Sequence, residues 1–341
     1  MTLQHERLST TNLAWSPNWE DVFDTVGQDR PLVVEIGFGY GQMLLYLAQT
    51  RPDANILGIE VASKPLATME SYLRRNQFHH VRVMYGYAQA LLAHLLEPAS
   101  VSEFHVNFPD PWFKTSHQHR RLMKRRTLDY IASRLKVGGR LYLATDIEAY
   151  AQMSDSLLQA TPTLTNQFET AWVNDYADRA RTKYEQKAIQ EGHTLHYFVY
   201  QRNTHPALDL PVIKESPMPH LVFRTDGNLQ TIYDAFQREQ FAHPEASIYI
   251  AMLDVYQNPN ALLFEVHIKE ETIEQHVAIL LVRRNDDPSE CVLKLSTVGH
   301  PRITQGVHKA VRHLAEIVQR SMPITIVHNK VLGYDDETLS A

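Results

Sequence analysis

Val33-Val34-Glu35-Ile36-Gly37-Phe38-Gly39-Tyr40-Gly41 joins a nearly continuous apolar run to three glycines at alternate positions, and an amphipathic segment, 42–49, begins at once. A strand that is apolar on both faces belongs inside a parallel sheet, and a glycine-rich turn leading from it into a helix lets a ligand approach the backbone closely. A dinucleotide fingerprint needs its third glycine at position 42; Gln42 stands there instead, leaving a G-x-G-x-G spacing. Glu35, just ahead of the turn, would repel a pyrophosphate and match a cationic ligand. Further on, Gly58-Ile59-Glu60-Val61 sets a second carboxylate at a strand end, where two ribose hydroxyls would donate to it.

Outward from this stretch the chain alternates β-type runs with amphipathic segments, the signature of a parallel sheet with crossover helices. The pattern predicts strands over 32–36, 55–60, 81–85, 103–107, 140–144, 168–173 and 194–201. Helices are expected near 41–49, 64–76, 88–96, 122–135, 147–159 and 183–190, with Gly138-Gly139 closing the fourth. The fold expected is α/β and Rossmann-like: a seven-stranded doubly wound sheet with an antiparallel last strand, filling residues 1–202. Trp15 and Trp19 anchor its N-terminal part. Pro206, Pro211, Pro217 and Pro219 make 203–219 a linker, since prolines so dense continue neither a helix nor a central strand. Residues 220–341 read as a smaller α+β domain, with β-rich runs near 221–224, 247–255, 262–268, 276–283, 292–297 and 324–327 and a helix over 303–319. No catalytic constellation stands out there.

At 341 residues and 44% hydrophobic content the chain can bury sizeable cores. No apolar run reaches the length of a membrane span and no secretory signal opens the sequence, so a cytoplasmic protein without membrane contact is expected. The single cysteine, Cys291, sits in an apolar run and excludes a disulfide framework or a cysteine-rich zinc site. A net charge of −6 argues against nucleic-acid binding by the whole surface. Local clustering then decides: Lys114, Arg120, Arg121, Lys124, Arg125 and Arg126 follow one another with no acid between.

That cluster trails the run Asn107-Phe108-Pro109-Asp110-Pro111-Trp112-Phe113-Lys114, which puts a carboxylate, an aromatic plane and cations on one stiff loop. Prolines on both sides of Asp110 limit the orientational freedom it loses when a substrate arrives. The alternative is a proline-rich turn with Trp112 over a core. His117 and His119 have no Cys or acidic ligand beside them, and no metal is expected.

Taken together, Glu35, Gly37, Gly39, Gly41 and Glu60 resemble the S-adenosyl-L-methionine site of Rossmann-like methyltransferases. Phe108-Pro109-Asp110-Pro111-Trp112-x-Lys114 with the following His/Arg string, Ala144-Thr145-Asp146-Ile147-Glu148-Ala149-Tyr150-Ala151, and Arg181-Thr182-Lys183-Tyr184-Glu185 ahead of Gly192-His193 complete an ordered set similar to that of the bacterial tRNA (guanine-N7-)-methyltransferases. The resemblance spans about 32–202. It implies a cofactor held by Glu35, the Gly37–Gly41 turn and Glu60, a catalytic Asp110 that also borders the cofactor, and RNA contacts by Lys114, Asp146, Thr182, Lys183, Tyr184 and Glu185. It further implies a target guanine at position 46 in the tRNA variable loop, giving 7-methylguanosine. Three departures stand out. Tyr87 takes the place of an adenine-facing carboxylate, as a stacking group or a filler; Lys187-Ala188 replaces an arginine-glycine pair; and the C-terminal domain lies outside the family's minimal form.

Guanine N7 carries a free lone pair and no proton, so its methylation needs positioning more than a general base. Asp110 is suited to follow the positive charge as it moves to the purine, or to accept from the guanine N1–H and amine. Asp146 is the second choice for that contact, and fits equally as the N-cap of a helix at Ile147. Trp112 or Tyr184 would stack on the base or else pack in a core. Arg120, Arg121, Lys124 and Arg125 would grip phosphates from one helical face. A class I methyltransferase for a different RNA site or a small metabolite, and a non-catalytic RNA-binding module, are the competing readings. Monomer and homodimer both remain open, with the C-terminal domain enlarging the RNA footprint or forming a dimer.

Overall fold

In the computed structural model, which describes residues 8–9, 12–112, 114, 121–177, 179, 181–298 and 301–334, strands and helices alternate through the first of two units, Met1–Lys214. In chain order they are β1 (Leu8–Ser9), α1 (Trp19–Phe23), β2 (Leu32–Ile36), α2 (Gln42–Thr50), β3 (Asn55–Glu60), α3 (Ser63–Arg75), β4 (Val81–Tyr85) and α4 (Ala88–Ala90), which runs into a π-helical turn, Leu91–Leu95. Then come β5 (Val101–Asn107), α5 (Arg125–Arg134), β6 (Leu135–Thr145), α6 (Glu148–Gln159), β7 (Leu164–Asn166), α7 (Lys183–Gln190) and β8 (His196–Arg202). The sheet order is β1-β4-β3-β2-β5-β6-β8-β7, with only β8 antiparallel to its neighbours. The expected doubly wound sheet is therefore present, and the two-residue β1 adds an eighth strand at the β4 edge.

The chain winds outward from β2 to β4, then crosses back to β5, so the order reverses between β2 and β5. A crevice opens outside the carboxyl ends of two such strands, where ligands of open α/β sheets bind. Every residue of β2 and β3 is buried, as their apolar runs require. Gly58 is required on β3: a Cβ there would meet Phe38 at 2.8 Å and Leu44 at 2.9 Å, and Phe38 seats the glycine turn on the sheet.

Two elements differ from expectation. No strand forms over 168–173; the side chain of Asn166 accepts from Phe168 N at 3.0 Å and donates to Thr170 O at 2.8 Å, closing a local turn that competes with the ladder. Val173 keeps one bridge, to Tyr197. The helix expected over 122–135 begins only at Arg125, because Lys124 is extended (φ −140°, ψ 159°).

Residues 203–214 belong to this first unit. Fully buried Arg134 donates to Leu92 O (2.8 Å) and Leu210 O (2.6 Å), and Ile213 N donates to Ala93 O (3.0 Å). The second unit, Glu215–Ala341, holds β9 (His220–Arg224), α8 (Leu229–Ala235), β10 (Gln240–His243), β11 (Ile248–Asn258), β12 (Ala261–Lys269), β13 (Glu274–Arg283), β14 (Glu290–Leu295), α9 (Gln305–Ser321) and β15 (Thr325–Asn329). Its antiparallel sheet runs β10-β11-β12-β13-β14-β9-β15. Val307, Val311, Leu314 and Val318 of α9 recur at helical spacing and bury themselves against Phe223, Phe264 and Ile279. No helix among the described residues is long and apolar enough to cross a membrane.

Candidate active site

Glu35 ends β2 at the crevice, 2% exposed, and its Oε2 has no hydrogen-bond partner. Burial pushes this carboxyl up to about 8; the hydrogen bond from Asn107 and the Arg179 charge pull it down, while Glu60 adds to the rise. Asn107, at the end of β5, donates its amide to Glu35 Oε1 at 3.2 Å and accepts from Arg179 Nη2 at 2.6 Å. A desolvated acid with a spare oxygen suits a cationic ligand, which would restore its charge.

The turn beside it is a backbone cradle. Gly37, Gly39 and Gly41 all take positive φ (73°, 52° and 75°), conformations that side chains resist. Glu60, at the end of β3, accepts from Gly39 N (2.9 Å), Val61 N (2.8 Å) and Ala62 N (2.9 Å), locking the turn to the neighbouring strand. Tyr87 stands exposed at the N-cap position of α4. These groups fit a cofactor that combines a cationic end with a ribose: Glu35 offers its unpaired oxygen to the cation, Glu60 keeps about one acceptor position, on Oε2, for a hydroxyl, and the glycines leave room for close approach.

Beyond β5 the loop carries Asp110 into the open. Phe108 and Trp112 hold positive φ (50° and 43°) without being glycine, so the loop is strained at both shoulders of the Pro-Asp-Pro step. Arg121 holds it in place, donating to Pro111 O (2.8 Å) and Trp112 O (3.3 Å). Behind it Tyr150 is buried; its phenol accepts from Met123 N at 3.2 Å, and burial pushes it up to about 12, with the Arg121 and Asp110 charges within reach.

The cation string does not form one helical face. Arg121 is spent on the loop, Lys124 precedes the helix, and Arg125 bonds Ala160 O (2.7 Å) and Asp129 (2.6 Å). Arg126 lies over the Tyr130 ring at 5.7 Å. Lys114 is exposed. Arg120, His117 and His119 lie outside the described residues.

Thr182 and Glu185 turn inward and are buried. They form a reciprocal capping box: Thr182 Oγ1 accepts from Glu185 N (3.2 Å), Glu185 Oε2 accepts from Thr182 N (3.1 Å), and Glu185 Oε1 accepts from Tyr197 OH (2.5 Å). Orphan amides at the start of α7 claim both side chains, a structural role that stands beside the RNA contact the resemblance implies. Lys183 and Tyr184 point the other way. Tyr184, 55% exposed, is no core residue; it reaches over Gly39 and stands 6.0 Å from the ring of Tyr40, itself 60% exposed. Lys183 Nζ sits 5.1 Å from that Tyr40 ring, and its backbone N–H donates to Gln42 Oε1 at 2.7 Å. Asp146 does not cap α6, whose N-cap position is Ile147; its carboxylate meets His193 Nδ1 at 3.2 Å.

Sequence reasoning missed Arg179, Asn107, Tyr40 and His193. Asn107, Tyr40 and His193 stand inside stretches quoted above but were given no role there; Arg179 lay outside them. Among the described residues no group of three or more His, Cys, Asp or Glu is arranged to hold a metal ion.

Comparison with known proteins agrees with this geometry. A family model described as "Putative methyltransferase" matches residues 29–198. A tRNA (guanine-N(7)-)-methyltransferase of Acidovorax sp. (strain JS42) is 35% identical over 191 residues, 56% of this chain and 75% of the relative. The enzyme of that name from Thermus thermophilus is 29% identical over 307 residues, 89% of this chain and 92% of the relative, an alignment that extends into the second unit. The Burkholderia cenocepacia (strain HI2424) enzyme of that name is 35% identical over 190 residues, covering 54% of this chain and 71% of its own.

Proposed function

We infer the reaction from one premise: the chain belongs to the tRNA (guanine-N(7)-)-methyltransferase family. It transfers a methyl group from S-adenosyl-L-methionine to N7 of a guanine in tRNA, giving 7-methylguanosine. The observation that carries this reading is the β2/β5 crevice, where Glu35 keeps Oε2 unpaired while its Oε1 accepts from Asn107, at the root of the Asp110 loop. The bound cofactor supplies an electrophilic methyl on a sulfonium. The residues of the chain orient both partners.

Guanine N7 needs no deprotonation, so the chain has no general base to supply. Glu35 and the Gly37–Gly41 turn fix the donor end, with Glu60 and Tyr87 toward its nucleoside. Asp110 serves as the catalytic acid group in the electrostatic sense: an exposed carboxylate that strengthens its hold on the purine as positive charge arrives there. Tyr184 and Tyr40 offer faces on which the base stacks, with Lys114, Lys183, Asp146 and Arg120 toward the RNA. Arg121 acts through the loop it clamps. We place the target at position 46 of the variable loop, and the working protein in the cytoplasm with its substrate. No helix-borne membrane anchor and no metal enter the scheme.

The test is incubation with unmodified tRNA and methyl-labelled cofactor, followed by mapping of the label. Label at N7 of the guanine at position 46 is expected. Label at another atom overturns the reaction, and label at N7 of another guanine overturns only the position.

A further inference from the structure

Two buried groups beside the crevice are short of partners, and they are complementary. Glu35 Oε2 and Arg179 Nε both lack a hydrogen bond among the described residues. The Arg179 side chain is 5% exposed. Its Nη2 donates to Asn107 Oδ1 (2.6 Å), Asn107 donates to Glu35 Oε1 (3.2 Å), and its guanidinium carbon lies 5.0 Å from the centre of the Tyr197 ring. Nε stands 3.9 Å from Glu185 Oε2, an ion pair too long for a hydrogen bond. A buried acid and a buried guanidinium that share a partner ordinarily close on each other, because each is costly unpaired. Here the Asn107 amide stands between them, and each keeps a spare valence.

We propose that Arg179 and Glu35 together read the amino-acid end of the cofactor, the guanidinium taking its α-carboxylate and Glu35 its α-ammonium. This rests on the methyl-transfer reading of the site. The charges argue for it: Glu35, Glu60 and Glu185 suit the two cationic centres of S-adenosylmethionine, but they would repel its carboxylate unless a cation took it. Arg179 is the one cation among the described residues that acts on Glu35. The planar guanidinium fork matches a carboxylate in geometry. Tyr197 beneath it and Glu185 beside it fix its plane, so the α7 capping box also orients this group.

Calorimetry on the full chain without tRNA tests the assignment with three probes: S-adenosylmethionine, its decarboxylated analogue, and 5′-methylthioadenosine, which lacks the amino-acid end. Wild type should prefer S-adenosylmethionine over the decarboxylated analogue by about 10-fold or more, the scale of a charge-assisted hydrogen bond. Arg179→Gln should remove that preference while leaving affinity for 5′-methylthioadenosine within about twofold, and Arg179→Lys should recover part of it. Equal affinity of wild type for the first two probes overturns the proposal without any variant. So does an Arg179→Gln loss shared by all three probes, which marks a merely structural residue. If wild type binds none of them, the cofactor reading itself falls.

Discussion

The two sides of the crevice, proposed above to take the cofactor and the substrate, are built differently. On the cofactor side, buried strand ends, a turn of three left-handed glycines and Glu60 locked to three backbone amides leave little to move. On the substrate side, Asp110, Tyr40, Lys183 and Tyr184 are exposed, and side-chain clamps hold their backbones: Arg121 on the Pro111 and Trp112 carbonyls, Gln42 on Lys183 N, the capping box under α7. A donor of fixed shape suits a rigid cradle. A base that must be withdrawn from folded RNA suits a rim that can adjust around it.

The contrast can be broken by mutation, most severely at Asp110. Asp110→Ala should lower turnover by about 100-fold or more while S-adenosylhomocysteine binds unchanged in calorimetry, since the electrostatic contribution falls on the transition state. A matching loss of cofactor affinity would mean that the two sides are not separate.

Glu35→Gln should do the reverse, weakening S-adenosylhomocysteine by about 10- to 100-fold through loss of a charged partner. Its pH dependence sharpens the point. Burial raises this carboxyl from its ordinary value to about 8, so the ligand-free protein holds its proton at neutral pH, and a cationic ligand must expel it. Binding should tighten as pH rises toward 8, with proton release visible in buffers of different ionisation enthalpy, and Glu35→Gln should flatten both. For the ligand-free fold the sign is opposite: stability is greatest below the ordinary carboxylate range and falls as pH rises through about 8, which pH-resolved melting would detect.

The smallest contrast lies within α7 itself. Tyr184→Ala should raise the KM for tRNA by an amount equivalent to about 1 kcal/mol or more of stacking, with melting temperature unchanged. Thr182→Ala should instead cost about 0.5–2 kcal/mol of stability through the lost cap. If Thr182→Ala changed tRNA affinity more than melting, its inward orientation would be the wrong basis for its role.

What the sequence made legible follows the same division. The expected strands 32–36, 55–60 and 81–85 and the helix 183–190 coincide with β2, β3, β4 and α7, because largely apolar runs and a Thr-x-x-Glu box are local signals. Glu35, the glycines and Glu60 were readable for that reason. Arg179 was not: Asn107 lies 72 residues from each of Arg179 and Glu35, and no local pattern announces a bond of that span. The opposite error arose at 168–173, where a β-type run suggested a strand but Asn166 closes a turn. Thr182 and Glu185 were found by their motif without their capping role being read, since a helix start and a ligand contact draw on the same residue types.

Gln42 has a consequence that reaches past this one reaction. Occupying the slot where a dinucleotide fold keeps its third glycine, its amide oxygen also pins the first residue of α7. Exchanging it for glycine would remove the side-chain bond that holds the start of α7. A substitution at position 42 thus acts at once on the glycine turn it follows and on the distant helix it tethers.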